Sequence, residues 1–466
     1  MSLRVIHTGD LHIGQKLKKN SRHEEHSLLL SWLPSVIDAE KAQVLLIAGD
    51  VFDCSTPAPK SQHLFNRFLA SLESIPSLLS VIITAGNHDS AQRLEAMKPV
   101  LARIGIHIVG AHENRSAKWD DWLIPIRDHN QDVRAVVAAV PFVHEFRLGL
   151  KKGVGNKEQY SDRIKASFSS LYTHFARRAA EQYPEAPLIG MGHLTAISEE
   201  ELVGPAPQNV HMALEKGMDG RIFDPRYCYV ALGHIHKNYR IRGDANAYYC
   251  GSPLPCSIDE AEDRTRRGVW CLDVSDVHTR PTPRLIKAPI FRHLLRLRGS
   301  VEEVQAALLE HTWEDAQEPS FIWIKAETNV PRYDLYDVFG ATLRAMDAEK
   351  RQYIVSVDNV IPELIGKKEA IPVDIRTTPA EVFALLLKEK GLDPKQPNLQ
   401  NLFAYVLSQL GEHGATPHPS SNALAAGAAE KREETPKTFR VSEQASDTLV
   451  LSTESDAQNR GIHEIS

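Results

Sequence analysis

The stretch "AQVLLIAGDVFD" (residues 42–53) is an apolar run, Val44 to Ala48, that stops at Gly49 and passes at once into Asp50 and Asp53. It reads as a buried strand whose tip carries carboxylates. The neighbouring segments repeat the theme. "LRVIHTGD" (3–10) is a short strand with a polar tip, and "HSLLLSWLPSVIDAEK" (26–41) has helical apolar spacing. On the other side, "QHLFNRFLASLE" (62–73) is helical, "LLSVIITAGNHD" (78–89) is a strand, and "AQRLEAMKPVLARIG" (91–105) is helical. "VRAVVAAVPF" (133–142) and "APLIGMGHL" (186–194) are two further apolar runs with small or polar tips. Strands alternating with helices predict an α/β core. Four of these strands stop at Gly followed by Asp, Asn or His. Active sites in such folds gather at strand ends.

The bulk numbers bound the class. The chain has 466 residues, enough for two or three domains, and is 42% hydrophobic and 24% charged, ordinary for a globular protein. A net charge of −6 advertises no broad basic surface, so DNA contact would have to be local. Five cysteines, odd in number and without CxxC spacing, make neither a disulfide framework nor a zinc ribbon. The start, "MSLRVIHTGD", enters a strand directly, and no apolar run approaches the roughly 20 residues of a membrane span. The expected compartment is the cytoplasm.

Past Pro289 the pattern changes. "FRHLLRLRG", "SFIWIKAETN" and "YIVSVDNV" look like strands, and "VEEVQAALLEHT" and "LYDVFGATLRAMDAEK" like helices, giving a βαβαβ unit without a catalytic cluster. Two short, very apolar helices are predicted between Thr378 and Leu410. The first opens on a capping box, Thr378 and Glu381, with Pro379 at its first position. The remainder is rich in Ala, Ser, Pro and Glu, a composition that predicts disorder.

Five strand tips carry the chemistry: Asp10-Leu11-His12, Gly49-Asp50-Val51-Phe52-Asp53, Gly86-Asn87-His88-Asp89, Gly192-His193 and Gly233-His234-Ile235-His236. Each alone has a dull reading as a turn or a polar loop. In a strand, residues i and i+2 share a side, so His234 and His236 face one point in space. Oxygen donors mixed with imidazoles suit Mn²⁺, Fe²⁺ or Zn²⁺. A shared carboxylate would hold two ions about 3.5–4 Å apart, the spacing for in-line phosphoryl displacement.

The ordered set D-x-H, G-D-x-x-D, G-N-H-D, G-H, G-H-x-H resembles the calcineurin-like metallophosphoesterase superfamily. The contexts "HTGDLHIG", "IAGDVFD", "AGNHDS", "GHIHK" and "YCGSPLP" are similar to its SbcD branch of bacterial nuclease subunits. The motifs cover about the first 260 residues, and the element order extends the likeness to about residue 410. The resemblance implies a four-layer core, a β-sandwich flanked by helices, over residues 1–288, with a smaller α/β capping domain over 289–372. It implies a helix pair at 373–411 for an SbcC-like SMC-family ATPase, ahead of a disordered tail at 412–466. Asp10, His12 and His236 would hold one divalent ion, Asn87, His193 and His234 the other, and Asp50 would bridge both; the expected metal is Mn²⁺. His88 would act on the phosphate, oriented by the Asp53 side chain. Asp89 is expected to serve the turn, His7 to pack or support the site, and His23, His26 and His63 to be solvated or satisfied. "GSPLP" (251–255) is a turn beside the site.

The implied activity is a Mn²⁺-dependent DNA nuclease acting on double-strand ends, single strands and hairpins, as a homodimer within an ATPase heterotetramer. The apolar helix residues Leu64, Phe65, Phe68, Leu72, Leu94, Met97 and Leu101 are candidates for the dimer interface or for the core, since i, i+3, i+4 spacing does not separate the two. The alternative is a small-substrate metallophosphoesterase, a nucleotidase or cyclic-nucleotide phosphodiesterase. The additional domain and helix pair disfavour it. A protein phosphatase is weaker still, because no arginine follows Asp53. A non-catalytic scaffold would be marked by missing ligands, and none is missing.

Overall fold

The computed structural model describes residues 2–110, 119–144, 157–196, 220–241, 243–261, 267–310, 316–346 and 353–361, with Phe383, Leu387, Leu399 and Phe403. The chain divides into two compact units, Met1–Glu369 and Ala370–Ser466.

In the first unit, two six-stranded sheets face each other. One runs β14 (Arg284–Lys287), β13 (Gly268–Val274), β1 (Leu3–Thr8), β4 (Val44–Ala48), β5 (Ser80–Thr84), β6 (Ile106–Val109). The other runs β11 (Asn238–Arg240), β12 (Ala247–Cys250), β10 (Tyr227–Gly233), β9 (Leu188–His193), β8 (Val133–Ala139), β7 (Leu123–Arg127). A hairpin of β2 (Lys16–Leu17) and β3 (Asn20–Ser21) leads into the first helix. Helices α1 (His23–Ala39), α2 (Pro59–Leu72), α3 (Ala91–Glu95) and α4 (Lys98–Leu101) belong to the first sheet's half of the chain. The long α5 (Lys157–Gln182) precedes β9, and α6 (Ile258–Ala261) follows the second sheet.

The period-two pattern of β4 builds the layers. Val44, Leu46 and Ala48 join the cluster shared with the second sheet and with Phe168, Leu171, Tyr172 and Phe175 of α5. Leu45 and Ile47 point the other way, into the cluster with α1 and α2. Alternate residues of one strand therefore bury against two different partners, which is why its run reads as unbroken hydrophobic. The result is the expected helix–sheet–sheet–helix stack. The predicted helix over 91–105 is interrupted between α3 and α4, where Pro99 in the first turn of α4 has no backbone N–H to continue the preceding ladder.

Leu64, Phe65, Phe68, Leu72, Leu94 and Leu101 all lie in the cluster between the first sheet and its helices, each at most 6% exposed. These side chains face the core, and of the interface candidates only Met97 is exposed. Burying each is worth about 1.5–3 kcal/mol, ample reason for the helical spacing.

The same unit contains the βαβαβ segment: β15 (Arg292–Gly299), α7 (Val301–Glu310), β16 (Glu318–Glu327), α8 (Leu335–Met346) and β17 (Tyr353–Val360). Its three strands are parallel in the order β15-β16-β17, with an apolar cluster of their own that includes Val304, Leu308, Ile322, Ile324 and Phe339. A buried ion-pair chain ties it to the sandwich. Arg22 donates to Glu25 at 2.7 and 3.0 Å, and Arg292 donates to the other Glu25 oxygen at 2.8 Å. All three residues are nearly solvent-free.

In the second unit, Phe383, Leu387, Leu399 and Phe403 are helical, and the rings of Phe383 and Phe403 stack with centroids 4.3 Å apart. The rest of the 373–411 pair and the 412–466 tail lie outside the described residues.

Candidate metal centre

The site is made where β1, β4 and β5 of one sheet and β9 and β10 of the other run out. Past its last paired residue, the β1 chain stays bonded to the β4 chain: Asp10 N–H to Gly49 O at 3.0 Å, and His12 N–H to Asp50 O at 3.0 Å. To do this while turning side chains inward, Asp10, His12 and Asp50 take left-handed backbone, at φ 48°, 43° and 47°, and His234 does so at 96°. Such residues are rare outside glycine and asparagine, and the strain, about 1–2 kcal/mol each, is held by the packing around them. Two glycines keep the space clear. A Cβ on Gly86 would lie 2.1 Å from Asp50 Oδ1, and one on Gly233 would lie 1.9 Å from the Ala48 carbonyl oxygen.

All seven expected donors converge. His193 Nε2 and His234 Nδ1 lie 3.0 and 2.9 Å from Asn87 Oδ1. His12 Nε2 and His236 Nε2 lie 3.1 Å apart. Asp50 Oδ2 sits between the two groups, 3.6 Å from His12 Nε2 and 3.3 Å from His193 Nε2. Asp10 accepts the His234 backbone N–H on both oxygens, at 2.9 and 3.0 Å.

Tautomers follow from the outer partners. His193 Nδ1–H donates to the Ala48 carbonyl at 2.8 Å, leaving the Nε2 lone pair aimed at two acceptor oxygens, Asn87 Oδ1 and Asp50 Oδ2. His236 Nδ1–H donates to Glu260 Oε1 at 3.1 Å, leaving its Nε2 lone pair facing another imidazole nitrogen. Lone pairs facing lone pairs are repulsive unless a cation lies among them, and a carboxylate or carbonyl behind the ring is the usual support of a metal-binding histidine. Without an ion, protons take that place. Burial opposes a charged ring at His193, yet Asp50 and Asp10 push it up to about 9. At His236 burial is outweighed by Cys256, Glu260 and Asp10, and the ring is pushed up to about 12. Burial alone would raise Asp50, but His193 and His12 outweigh it and hold this carboxylate well below the usual range. The donor set demands positive charge, and its oxygens and imidazoles fit divalent ions.

The surroundings correct and extend the sequence reading. His88 is oriented by Asp53, but through the backbone: its Nδ1–H donates to the Asp53 carbonyl at 2.8 Å. The Asp53 carboxylate instead lies 3.5 Å from His12 Nδ1. Asp89 is structural, as expected, and does more than close a turn. Its carboxylate accepts the N–H groups of Val51, Phe52 and Gly86, clamping the β4 and β5 tips together. Ser252 of "GSPLP" lies within hydrogen-bonding reach of the Asp10 carbonyl, 2.7 Å, so this loop backs the first tip. His7 packs against the Tyr229 hydroxyl at 2.9 Å, and His26 is buried and bonded to the Arg22 carbonyl at 2.7 Å. Glu260 was not legible in the sequence. It lies 24 residues from His236 with no spacing rule to connect them.

A family model described as "Calcineurin-like phosphoesterase" matches residues 3–238, which carry all seven of the converging donors Asp10, His12, Asp50, Asn87, His193, His234 and His236. The chain belongs to the calcineurin-like phosphoesterase family. It is accordingly an enzyme that hydrolyses phosphoesters, in a family that uses divalent metal ions. Among curated relatives, it is 32% identical over 392 residues to the SbcD subunit of the SbcCD nuclease of Rhodobacter capsulatus, covering 82% of this chain and 94% of the relative. It is 28% identical over 422 residues to the SbcD subunit of Escherichia coli K12, covering 89% of this chain and all of the relative. The SbcD subunit of Bacillus subtilis is 28% identical over 265 residues, covering 56% of this chain and 63% of the relative. Among the described residues, no helix is long and apolar enough to cross a membrane.

Proposed function

We propose that this phosphoesterase is a Mn²⁺-dependent DNA nuclease, the catalytic subunit of an SbcC–SbcD-type complex in the cytoplasm. The observation that carries the reading is the pairing of donors. Asn87, His193 and His234 form one group and His12 and His236 another, while the Asp10 carboxylate lies with Asp50 and His193. Asp50 Oδ2 stands between them, 3.3 and 3.6 Å from the two facing nitrogens. We assign Asp10, His12 and His236 to one ion, Asn87, His193 and His234 to the other, and Asp50 to both. Two ions held there would lower the pKa of an attacking water and neutralise charge developing on the phosphate.

The chain's own groups do the rest. His88, its Nδ1–H committed to the Asp53 carbonyl, is left with Nε2 as the atom that meets the phosphate or passes a proton to the leaving oxygen. Asp53 shares the rim through its carboxylate, beside His12. The relatives are nucleases by name, and the likeness to them over most of the chain favours DNA over small phosphodiesters. The substrates we assign are double-strand ends, cut as a 3′–5′ exonuclease, and single strands or hairpins, cut as an endonuclease. We assign the 289–372 segment to capping and the 373–411 segment to docking on the SMC-family ATPase, within a heterotetramer that contains two copies of this chain.

The test compares Mn²⁺-dependent cleavage of a DNA hairpin with hydrolysis of a generic phosphodiester, with and without the ATPase partner. Hairpin cleavage that depends on Mn²⁺ is the expected result. Hydrolysis of the small ester with an untouched hairpin, in the presence of the partner, would return the protein to the small-substrate branch of its family.

A further inference from the structure

The two halves of the centre are not chemically alike. Beside His12 and His236 lies a third donor, Cys256, and the ligand atoms of the three lie within 4.8 Å of one another. Among the described residues, the converging group Asp10, Asp50 and His193 contains no sulfur, although Cys250 Sγ lies 3.8 Å from Asp10 Oδ2.

Cys256 is held in place on both sides. Its backbone N–H donates to Glu260 Oε2 at 2.9 Å, while Oε1 of the same carboxylate receives the His236 ring at 3.1 Å. One carboxylate therefore fixes the histidine and the cysteine relative to each other. The Cys256 carbonyl accepts from Gln15 Nε2 at 3.0 Å, and Gln15 Oε1 is in turn held by the buried Arg22 at 2.8 Å. Glu260 is itself braced by Arg267 at 3.3 Å. The sulfur faces the His236 ring, with which it shares a hydrogen bond, and has weaker contacts with Ser252 Oγ at 3.5 Å and the Leu254 carbonyl at 3.8 Å. A residue whose backbone is clamped by two side chains, next to an inward-facing imidazole lone pair, is built to present its side chain.

We propose that Cys256 supplies a sulfur ligand to the ion held by His12 and His236, so that this position favours Zn²⁺ and Co²⁺ relative to Mn²⁺ more strongly than the other position does. Thiolate is a soft donor and discriminates in that direction, whereas carboxylate, amide oxygen and imidazole accept Mn²⁺. The two positions then differ in how strongly they discriminate among these ions. This rests on the two-metal reading given above.

The test uses the full chain carrying Cys54→Ser, which removes the exposed thiol. Metal-free protein is titrated with Co²⁺ and followed by absorption. Ligand-field bands report binding at any position, and a near-ultraviolet sulfur-to-cobalt band reports the thiolate. The expected result is both, with the sulfur band alone lost in Cys256→Ser and in Cys256→Ala. Competition should show Zn²⁺ held at least about 10–100-fold less tightly by those variants, the size of effect seen for losing a metal-site partner, with Mn²⁺ affinity little changed. Ligand-field bands without a sulfur band in the unsubstituted Cys256 protein would overturn the proposal and leave the metal centre standing. A sulfur band that survives both substitutions would overturn it too, by assigning the band to another thiol. Failure of Co²⁺ to bind at all would remove the centre itself.

Discussion

The chain contains two parallel βαβαβ arrangements that differ completely in what they offer. In the sandwich, β1, α1, β4, α2 and β5 come in that order, with the β2–β3 hairpin between β1 and α1, and β1, β4 and β5 are parallel neighbours. In the small sheet, β15, α7, β16, α8 and β17 do the same. At the sandwich tips, Asp10, His12 and Asp50 kink left-handed and turn donor atoms into a shared space. At the small-sheet tips, polar groups are used on the backbone and on one another. Ser300 and Glu303 form a reciprocal capping box at the start of α7, at 3.2 and 2.8 Å. Asn359 donates to Thr328 Oγ1, which donates to the Val330 carbonyl. Ser300 and Glu303 are spent on the start of α7, and Asn359 and Thr328 on each other and on a backbone carbonyl. Topology supplies a place for a site; the tip residues decide whether there is one.

The largest expected effect breaks the sandwich tips. Asp50→Ala removes the oxygen between the two donor groups, and both ions should be lost in metal counting together with all cleavage. His88→Ala should keep two ions and slow cleavage by about 10²–10⁴-fold, the usual contribution of a positioned acid or base. Loss of an ion in that variant would move His88 into the ligand set, which its proximity to His12 and Asp50 makes a meaningful check.

Next in size is the joint between the two regions. Glu25→Ala leaves Arg22 and Arg292 buried without their shared carboxylate. Removing one member of a buried ion pair typically costs about 3–5 kcal/mol. Urea unfolding should show that loss. If the unfolding free energy falls by less than a tenth of that amount, the triad is not what joins the small sheet to the sandwich. Converting Arg22, Glu25 and Arg292 together to apolar residues should recover much of the loss.

These contrasts mark what the sequence could carry. The five tip motifs were legible because each is local: a strand run, a glycine, then donors within a few residues. All seven assigned ligands and His88 meet at the strand ends where the motifs lie. The Asp53 role was half legible, since a backbone carbonyl leaves no residue-type signal. Glu260, and the Gln15–Arg22–Glu25–Arg292 chain, join residues up to 267 apart in sequence and carry no periodicity. The helix faces of Leu64–Leu72 were ambiguous because core and interface impose the same spacing.

Acid should act on the sandwich in a way that can be isolated. Burial first, and the Arg22 charge second, lower the His26 imidazole to about 3. An unfolded histidine titrates near 6.5. The folded state therefore holds His26 neutral while the unfolded state takes up a proton. The stability due to this residue is intact above about pH 6.5 and is lost as pH falls from there toward 3, by up to about 1.4 kcal/mol per pH unit. His26→Gln keeps an amide donor for the Arg22 carbonyl and removes the titration. In metal-free protein, the pH slope of unfolding free energy between 6 and 4 should fall by roughly one proton relative to the parent. An unchanged slope would place His26 in water.

The smallest effect sharpens the comparison most directly, because the same substitution should have opposite signs in the two regions. Gly86→Ala puts a Cβ 2.1 Å from Asp50 Oδ1 and 2.2 Å from its backbone nitrogen, so the β4 or β5 tip must move. Backbone cannot give way as a side-chain end can, and metal binding should suffer with activity. Gly340 lies inside α8, where, apart from the helix's own backbone, the three nearest atoms to a Cβ among the described residues all belong to the Arg344 guanidinium, the closest at 3.3 Å. Arg344 is exposed and long, and can shift by the few tenths of an ångström required. Gly within a helix costs about 0.5–1 kcal/mol relative to Ala, much of it entropy of the unfolded chain. Gly340→Ala should therefore raise stability by up to about that amount and leave cleavage and metal content unchanged. Thermal unfolding of the two variants side by side makes the measurement. A destabilised Gly340→Ala would mean that α8 meets something at that face other than Arg344. An active, metal-replete Gly86→Ala would mean the sandwich tips tolerate motion that their left-handed backbone argues against.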